Sequence, residues 1–380
     1  MTASSETWRT DTQALLILVL AGGPLLPLRQ LLDQLGDATA VLAAGAATWR
    51  AAGCTADQCH ALAHPDPAAL ARGLNWLAEP RHQLLGWATA DYPPLLGQAP
   101  NPPVALFVDG NPGVLWQPAI AVVGSRNPSA GGRDIARHLA DELARCGLTV
   151  ASGLAAGIDA AAHRAAMAAA APSYAVIGTG PDIAYPRHHR QLQAELAAHG
   201  AVVSEYAPGT VPRSGQFPAR NRLLAALTLG TVVVEAAERS GALLTARLAS
   251  EAGREVFAVP GSIHNPMARG CHRLIRDGAT LVTHADHILE GVANLAGELG
   301  NALQNRLHTP ISTTVTGPSP VPDLPDPDYQ RLWEALGHDP TGMDSLIERS
   351  GLTAAKLSSM LLLMELQGSV SSAHGRYSRT

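Results

Sequence analysis

Residues 213–222 read Arg-Ser-Gly-Gln-Phe-Pro-Ala-Arg-Asn-Arg and gather three arginines, an asparagine and one of only three phenylalanines in 380 residues. A guanidinium can meet phosphate oxygens with two parallel N–H donors, and a phenyl ring offers a face to a nucleobase. The stretch therefore has the chemistry to grip a phosphate chain while one base stacks on Phe217. Pro218 suits a first helical position. That would place Arg220, Asn221 and Arg222 in a first turn whose unpaired N–H groups favour anions. The same residue types also make ordinary solvated loops, so the reading depends on what surrounds them.

Loops of similar character follow other short apolar runs. Gly124-Ser125-Arg126-Asn127-Pro128-Ser129-Ala130-Gly131-Gly132 follows Ala119–Val123. It is neither G-x-G-x-x-G nor G-x-x-x-x-G-K-[ST], so dinucleotide and Walker-type nucleotide sites lose support. Arg126 at its tip points to a phosphate not held by glycine backbone alone. Ser152-Gly153-Leu154-Ala155-Ala156-Gly157-Ile158-Asp159 follows Leu148–Ala151, with His163 one turn on. Asp159 and His163 stand at i and i+4, where a carboxylate can orient a histidine base. No nucleophile is paired with them in sequence, so a structural tie between the two is the favoured reading. Ser240, followed by Gly241 and Thr245, caps a helix whose N-terminus would again face an anion.

A parallel sheet would bring these loops together. Short apolar segments at Ala119–Val123, Leu148–Ala151, Tyr174–Ile177, Ala201–Val203, Thr231–Val234, Glu255–Val259 and Thr280–Val282 alternate with Ala-rich helical stretches. This is the pattern of right-handed βαβ units, whose ligands bind beyond the carboxyl ends of the strands. Residues 119–295 are assigned to this α/β domain. Residues 1–90 precede it as a small bundle of short helices of sterile-alpha-motif or helix-hairpin-helix type, with Gly36, Gly45 and Gly53 as stops. Residues 91–118 form a proline-punctuated connector with a short edge strand at Leu106–Val108. Residues 296–328 are a linker, rich in Pro, Thr and Ser from Thr309 on. Residues 329–380 read as three helices, Tyr329–Leu336, Met343–Arg349 and Ala354–Gln367, and then a hairpin, a winged helix. Its third helix carries the chain's only lysine, Lys356, among serines and leucines, so a protein-contact role is favoured over base reading.

Composition sets outer bounds. With 46% hydrophobic and 4% aromatic residues, the cores must be built from Ala, Leu and Val. No apolar run reaches a membrane-spanning length of about 18 residues, and the four scattered cysteines suit a reducing compartment. A soluble, cytoplasmic protein without membrane contact is expected. Cys54, Cys59, His60 and His64 lack zinc-finger spacing, so no metal or other cofactor is expected. The net charge of −5 hides an asymmetry: residues 121–280 hold sixteen arginines against twelve carboxylates, net +4, while both flanks are acidic.

The segments Gly-Ser-Arg (124–126), Ser-Gly-Leu-Ala-x-Gly-Ile-Asp-x-x-x-His (152–163), Tyr-Pro (185–186), Ser-Glu (204–205), Phe-Pro-x-Arg-Asn-Arg (217–222), Ser-Gly-x-Leu-x-Thr-Ala (240–246), Val-Pro-Gly (259–261) and Gly-Cys-x-x-Leu-Ile (270–275) resemble, in order, those of the DNA-processing protein A (DprA, or Smf) family. The resemblance implies an extended Rossmann-like, mainly parallel sheet that binds and protects single-stranded DNA. It also implies loading of a RecA-type recombinase in natural transformation, and a homodimer formed through that domain. Carried over residue by residue, the pocket comprises Ser125, Arg126, Phe217, Arg220, Asn221 and Arg222, faced by Ser240, Gly241 and Thr245; Arg213 is added on looser grounds. His272 stands where the family is expected to have asparagine. With no catalytic residues assigned, binding without catalysis is expected. The rival is a nucleotide-hydrolysing, phosphoribohydrolase-like enzyme, whose Pro-Gly-Gly-x-Gly-Thr loop is here Ser-Gly-Ala-Leu-Leu-Thr.

Overall fold

The computed structural model describes residues 3–308 and, beyond them, 328, 331–332, 335–336, 341–353, 356–357, 360–361, 364, 370–373 and 376–379. These fall into two compact units, Met1–Thr309 and Pro310–Thr380. Of the linker expected over 296–328, residues 296–308 are instead helical, because their Ala- and Leu-rich run continues the preceding helix, and residues 309–327 lie outside the described residues.

The first unit begins with six helices: α1 (Ala3–Ala21), α2 (Leu25–Leu35), α3 (Ala38–Ala43), α4 (Gly45–Ala51), α5 (Ala56–Ala63) and α6 (Pro67–Leu77). Their boundaries follow from local chemistry. Gly36, at φ 91°, ends α2, a left-handed C-cap that glycine adopts without Cβ strain. Asp37, Thr55 and Asp66 cap the starts of α3, α5 and α6 by accepting backbone N–H bonds. Helix α1, not foreseen, runs through the bundle's core, with Leu16 and Leu18 fully buried. Cys54 and Cys59 are buried in the same core, while His60 and His64 pack ring to ring at 5.0 Å. Among the described residues no three His, Cys, Asp or Glu side chains gather as a metal site.

A nine-stranded sheet follows: β1 (His82–Gly86), β2 (Ala105–Gly110), β3 (Ala119–Val123), β4 (Thr149–Ser152), β5 (Ser173–Ile177), β6 (Ala201–Ser204), β7 (Gly230–Val233), β8 (Glu255–Ala258) and β9 (Thr280–Leu281). The spatial order is β1-β2-β6-β5-β4-β3-β7-β8-β9. Pairs from β6 to β9 are parallel, and β1 and β2 run antiparallel. Both faces are covered, as parallel sheets require: in β3, Ala119, Ala121 and Val123 join one core and Ile120 and Val122 the other. After the short helix α7 (Pro94–Gly97) between β1 and β2, the crossover helices are α8 (Ala130–Arg145), α9 (Ile158–Ala168), α10 (Arg190–His199), α11 (Gln216–Ala226), α12 (Gly241–Glu251) and α13 (Arg269–Arg276), and α14 (Ala285–His308) closes the unit. Among the described residues no helix is long and apolar enough to cross a membrane.

One expectation is corrected here. Leu106–Val108 lies inside β2, which is flanked by β1 on one side and β6 on the other, so it is not an edge strand. Proline marks the loops around it, while β2 itself is fully apolar from Ala105 to Val108 and buried.

The second unit has β10 (Thr341–Gly342), α15 (Met343–Ser350), β11 (Val370–Ala373) and β12 (Arg376–Arg379), with strand order β10-β12-β11. Helical residues at 331, 332 and 335 and at 356, 357, 360, 361 and 364 fall within the two other expected helices, and the first begins by residue 328. Leu332, Leu336, Leu346, Leu357, Met360 and Leu361 form its core, and Lys356 pairs with Asp328.

Candidate nucleic-acid interface

The sheet reverses its order of winding at β3. From there β4, β5 and β6 are laid down on one side and β7, β8 and β9 on the other. The crevice at such a point, outside the carboxyl ends of the strands, is where open α/β sheets hold ligands. Here it is a cleft of about 770 Å³, walled by the loop after β3, the loop after β4, the start of α11 and the loop from β7 into α12. Nine of the ten residues singled out in sequence line it: Ser125, Arg126, Arg213, Phe217, Arg220, Asn221, Ser240, Gly241 and Thr245.

The rim is open. Arg126 is exposed, and its guanidinium lies 6.0 Å from the centre of the Phe217 ring. Arg213 is exposed just before α11, where its backbone N–H donates to Gln216 Oε1 at 2.6 Å. Tyr185, 42% exposed, stands 5.0 Å from Phe217, ring to ring, at 37°. In the sequence it enters only through the Tyr-Pro pair (185–186) of the family resemblance and is not among the residues assigned to the pocket. The available signal was its place in the loop after β5, at the carboxyl edge where the other loops gather. Ser240 caps α12 by accepting the Ala242 N–H at 3.2 Å, as expected.

The floor is closed. Arg220 is 6% exposed. It donates to Gly153 O at 2.5 Å, to Val176 O, and from Nε to Asn221 Oδ1 at 3.1 Å. A Cβ at Gly153 would run into that guanidinium. Asp159, also buried, accepts from the N–H groups of Gly153 and Ala155 at 3.1 and 3.2 Å. Burial pushes its carboxyl pKa up, and the charge of Arg220 works against that. Burial likewise lowers the Arg220 guanidinium to about 10, opposed by Asp159. The expected tie between Asp159 and His163 is absent. His163 Nδ1 sits 2.8 Å from Ser173 Oγ, whose own proton goes to Val150 O at 2.7 Å, so Nδ1 carries the proton. Burial, with nearby cations adding to it, lowers this histidine to about 3.

Two further expectations change. The glycine-rich loop after β3 already holds an anion, the protein's own Glu235. That carboxylate accepts from Ser129 N at 2.9 Å and Ser129 Oγ at 2.6 Å, and from Asn265 at 3.3 Å. A Cβ at Gly132 would meet it, so the start of α8 is occupied from within. Helix α11, in turn, starts at Gln216, which puts Pro218 third and Arg220, Asn221 and Arg222 beyond the first turn. At about 100° per residue Arg220 and Arg222 point to opposite sides. Arg222 lies outside the cleft, paired with Glu205 at side-chain exposures of 21% and 15%, and its charge acts on Tyr92 and Arg29. His272 Nε2 meets Gly261 O at 2.9 Å, which ties α13 to the loop after β8.

Fold and cleft together define a Rossmann-like α/β protein with a groove at its winding switch, rimmed by arginine and aromatic side chains over a closed polar floor. The family model described as DNA recombination-mediator protein A matches residues 83–293, and the DprA winged helix domain matches residues 316–376. The chain belongs to the DNA recombination-mediator protein A (DprA/Smf) family. Protein Smf of Escherichia coli is 40% identical over 307 residues, spanning 80% of this chain and 79% of the relative. DNA processing protein DprA of Streptococcus pneumoniae is 46% identical over 198 residues, 52% of this chain and 70% of the relative. The X-ray structure of that streptococcal protein superposes with a TM-score of 0.65 at 36% identity, covering 73% of this chain and 96% of the structure.

Proposed function

We propose that this chain is a DNA-processing protein that binds single-stranded DNA in the cleft, without sequence preference and without catalysis. The observation that carries the reading is the pairing of an aromatic platform, Phe217 beside Tyr185, with the exposed guanidinium of Arg126 at its edge. Bases of any identity stack on such a platform while the cation meets the backbone. A duplex keeps its bases stacked inside and offers none to it. Arg213 and the Ser240–Gly241 start of α12 supply further phosphate contacts, and Asn221 a donor. Ser125, Arg220 and Thr245 are buried and act by shaping the cleft. Arg222 acts from outside it, through Glu205.

Asp159 and His163, the residues best spaced for acid–base chemistry, are each engaged within the floor, which favours binding over hydrolysis. The family description, a recombination mediator, supports a role in passing protected DNA to a RecA-type recombinase in the cytoplasm during natural transformation. A homodimer through the Rossmann-like domain suits the open sheet edge at β9, where Leu281 is 46% exposed. Fluorescence anisotropy with oligo-dT, alone and annealed to its complement, tests the central claim: tight binding of the single strand and weak binding of the duplex are expected. Equal affinity for both defeats it, and release of free base from nucleoside monophosphates establishes the phosphoribohydrolase alternative instead.

A further inference from the structure

A carboxylate of the protein's own stands where an open α/β sheet ordinarily receives a ligand's phosphate. Strands β3 and β7 are neighbours, and they are the pair at which the order of winding reverses. In such sheets a helix opens at that crevice, and its first N–H groups receive the phosphate of a bound nucleotide. Here the helix is α8. Glu235, two residues past the end of β7, reaches across to its start.

The side chain is held as a bound anion would be. One carboxylate oxygen accepts the Ser129 N–H at 2.9 Å; the other accepts the Ser129 hydroxyl at 2.6 Å and the Asn265 amide at 3.3 Å. The hydroxyl in turn accepts the Gly132 N–H at 2.9 Å, so its proton is committed to the carboxylate. These donors are a backbone N–H, a hydroxyl and an amide, all neutral, the kind of set that takes a phosphate oxygen at a helix start. Glu235 is 6% exposed, and a Cβ on Gly132 would fall 2.4 Å from its carboxyl carbon. Backbone bonds fasten the segment: Ser125 N–H donates to Glu235 O and Ala236 N–H to Met267 O, both at 2.7 Å. The loop after β4 repeats the arrangement, with Asp159 Oδ2 on the N–H groups of Gly153 and Ala155 just before α9. Both loops are thus filled from within, while Arg126 and Arg213 stand exposed at the rim.

We propose that Glu235 is a specificity residue, which fills the phosphate position at the winding switch and so closes the cleft to free phosphate and mononucleotides. This rests on the cleft being the single-strand site. A phosphate approaching α8 meets both the bulk of the side chain and a like charge. A mononucleotide has one base and one phosphate group to offer, and without the helix start it keeps only the stacking face and the open rim. A strand spreads its contacts over several nucleotides and does without that position. Competition from free nucleotides is removed while the strand's own contacts are left in place.

The test compares the full wild-type chain with Glu235→Ala by thermal melting in inorganic phosphate, dTMP or chloride at equal ionic strength. Wild type in the same buffers subtracts the general stabilisation that phosphate gives folded proteins. Truncation vacates the anion position and leaves its donors in place. Phosphate or dTMP at about 10 mM should therefore raise the melting midpoint of the variant by at least about 2 °C more than that of wild type. The same dTMP should weaken labelled oligo-dT binding about tenfold in the variant and less than about twofold in wild type. Displacement of oligo-dT from the wild type by dTMP overturns the proposal, and this arm is read even if the variant does not fold. A folded variant that gains nothing from phosphate also overturns it, and confines Glu235 to tying the loops after β3 and β7 together. Arg126→Ala keeps the two readings apart: if it leaves oligo-dT binding unchanged the cleft reading fails, whereas the melting comparison uses no DNA and is read independently.

Discussion

Arg126 and Arg220 line one cleft in opposite circumstances. Arg220 is buried, with its donors on two carbonyls and an asparagine and its charge opposite Asp159. Arg126 is exposed and meets the face of Phe217. The floor is thus a closed polar circuit that fixes where the loops after β3 and β4 sit, and the rim is an open set of donors on top of it. An arginine whose donors are held by backbone carbonyls sets shape; one whose donors face water can take a ligand. Substitutions in the floor should therefore be felt in stability, and substitutions at the rim in binding.

The sharpest break in that contrast is Arg220→Ala. It strips Asp159 of its counter-charge inside the protein and leaves Gly153 O and Val176 O without their donor. Each buried group left without its partner costs about 1–3 kcal/mol, so a loss of several kcal/mol is expected, read from urea unfolding. Arg126→Ala should stay within about 0.5 kcal/mol of the parent in the same measurement. Equal losses would erase the distinction between floor and rim.

Acid provides a second test of the floor. His163 has its folded pKa lowered to about 3 from 6.5, so between those values the unfolded chain takes a proton that the native state refuses. Stability should therefore fall as pH drops from 6.5 towards 3, by up to about 1.4 kcal/mol per unit. Asp159, raised by burial, works in the opposite direction over the acid range. The comparison is accordingly wild type against His163→Gln, and the variant should show the flatter acid limb. A variant as acid-sensitive as the parent would remove His163 from the account.

At the rim, Phe217→Ala should lower affinity for oligo-dT by about 1–3 kcal/mol, the usual worth of one stacked base. Tyr185→Ala should weaken binding in the same assay if both rings form the platform. Unaltered affinity in the Phe217 variant would place the bases elsewhere.

Much of this was legible in the sequence. The parallel strands are short Val- and Ala-rich runs at regular spacing, and nine of ten chosen residues meet in one cleft because they follow carboxyl ends of adjacent strands. Strand β1 escaped notice because its apolar run is only Leu84-Leu85, between His82-Gln83 and Gly86. Helix α1 escaped because its apolar residues crowd into its second half. Glu235 was out of reach for a different cause: it lies 106 residues from Ser129, and nothing local says that a carboxylate fills its own protein's anion loop. Which arginine of α11 faces the cleft depends on where the helix begins, and a start two residues earlier than Pro218 is enough to alter the turn each one occupies.

That last point yields the smallest and most discriminating measurement. Arg220, Asn221 and Arg222 are consecutive, and residue type alone makes Arg222 as good a phosphate ligand as Arg126. Geometry separates them. Arg222 is half a turn from the cleft face and tied to Glu205, near Arg29, whose guanidinium bonds Pro102 O and lies 5.5 Å from the Trp87 ring centre. Each phosphate contact on a single strand contributes about 0.7 to the slope of log K against log salt. Arg126→Ala should therefore flatten the slope by about 0.7, while Arg222→Ala should leave it unchanged and lower thermal stability instead, because Glu205 then stays largely buried without its partner. Burial raises the Glu205 carboxyl even with Arg222 present, so the loss should be greatest at neutral pH and shrink as Glu205 takes up a proton in acid. A flattened slope in Arg222→Ala would mean that the Glu205 pair opens to receive DNA, and that the boundary between rim and rear runs through α11 differently from its resting geometry.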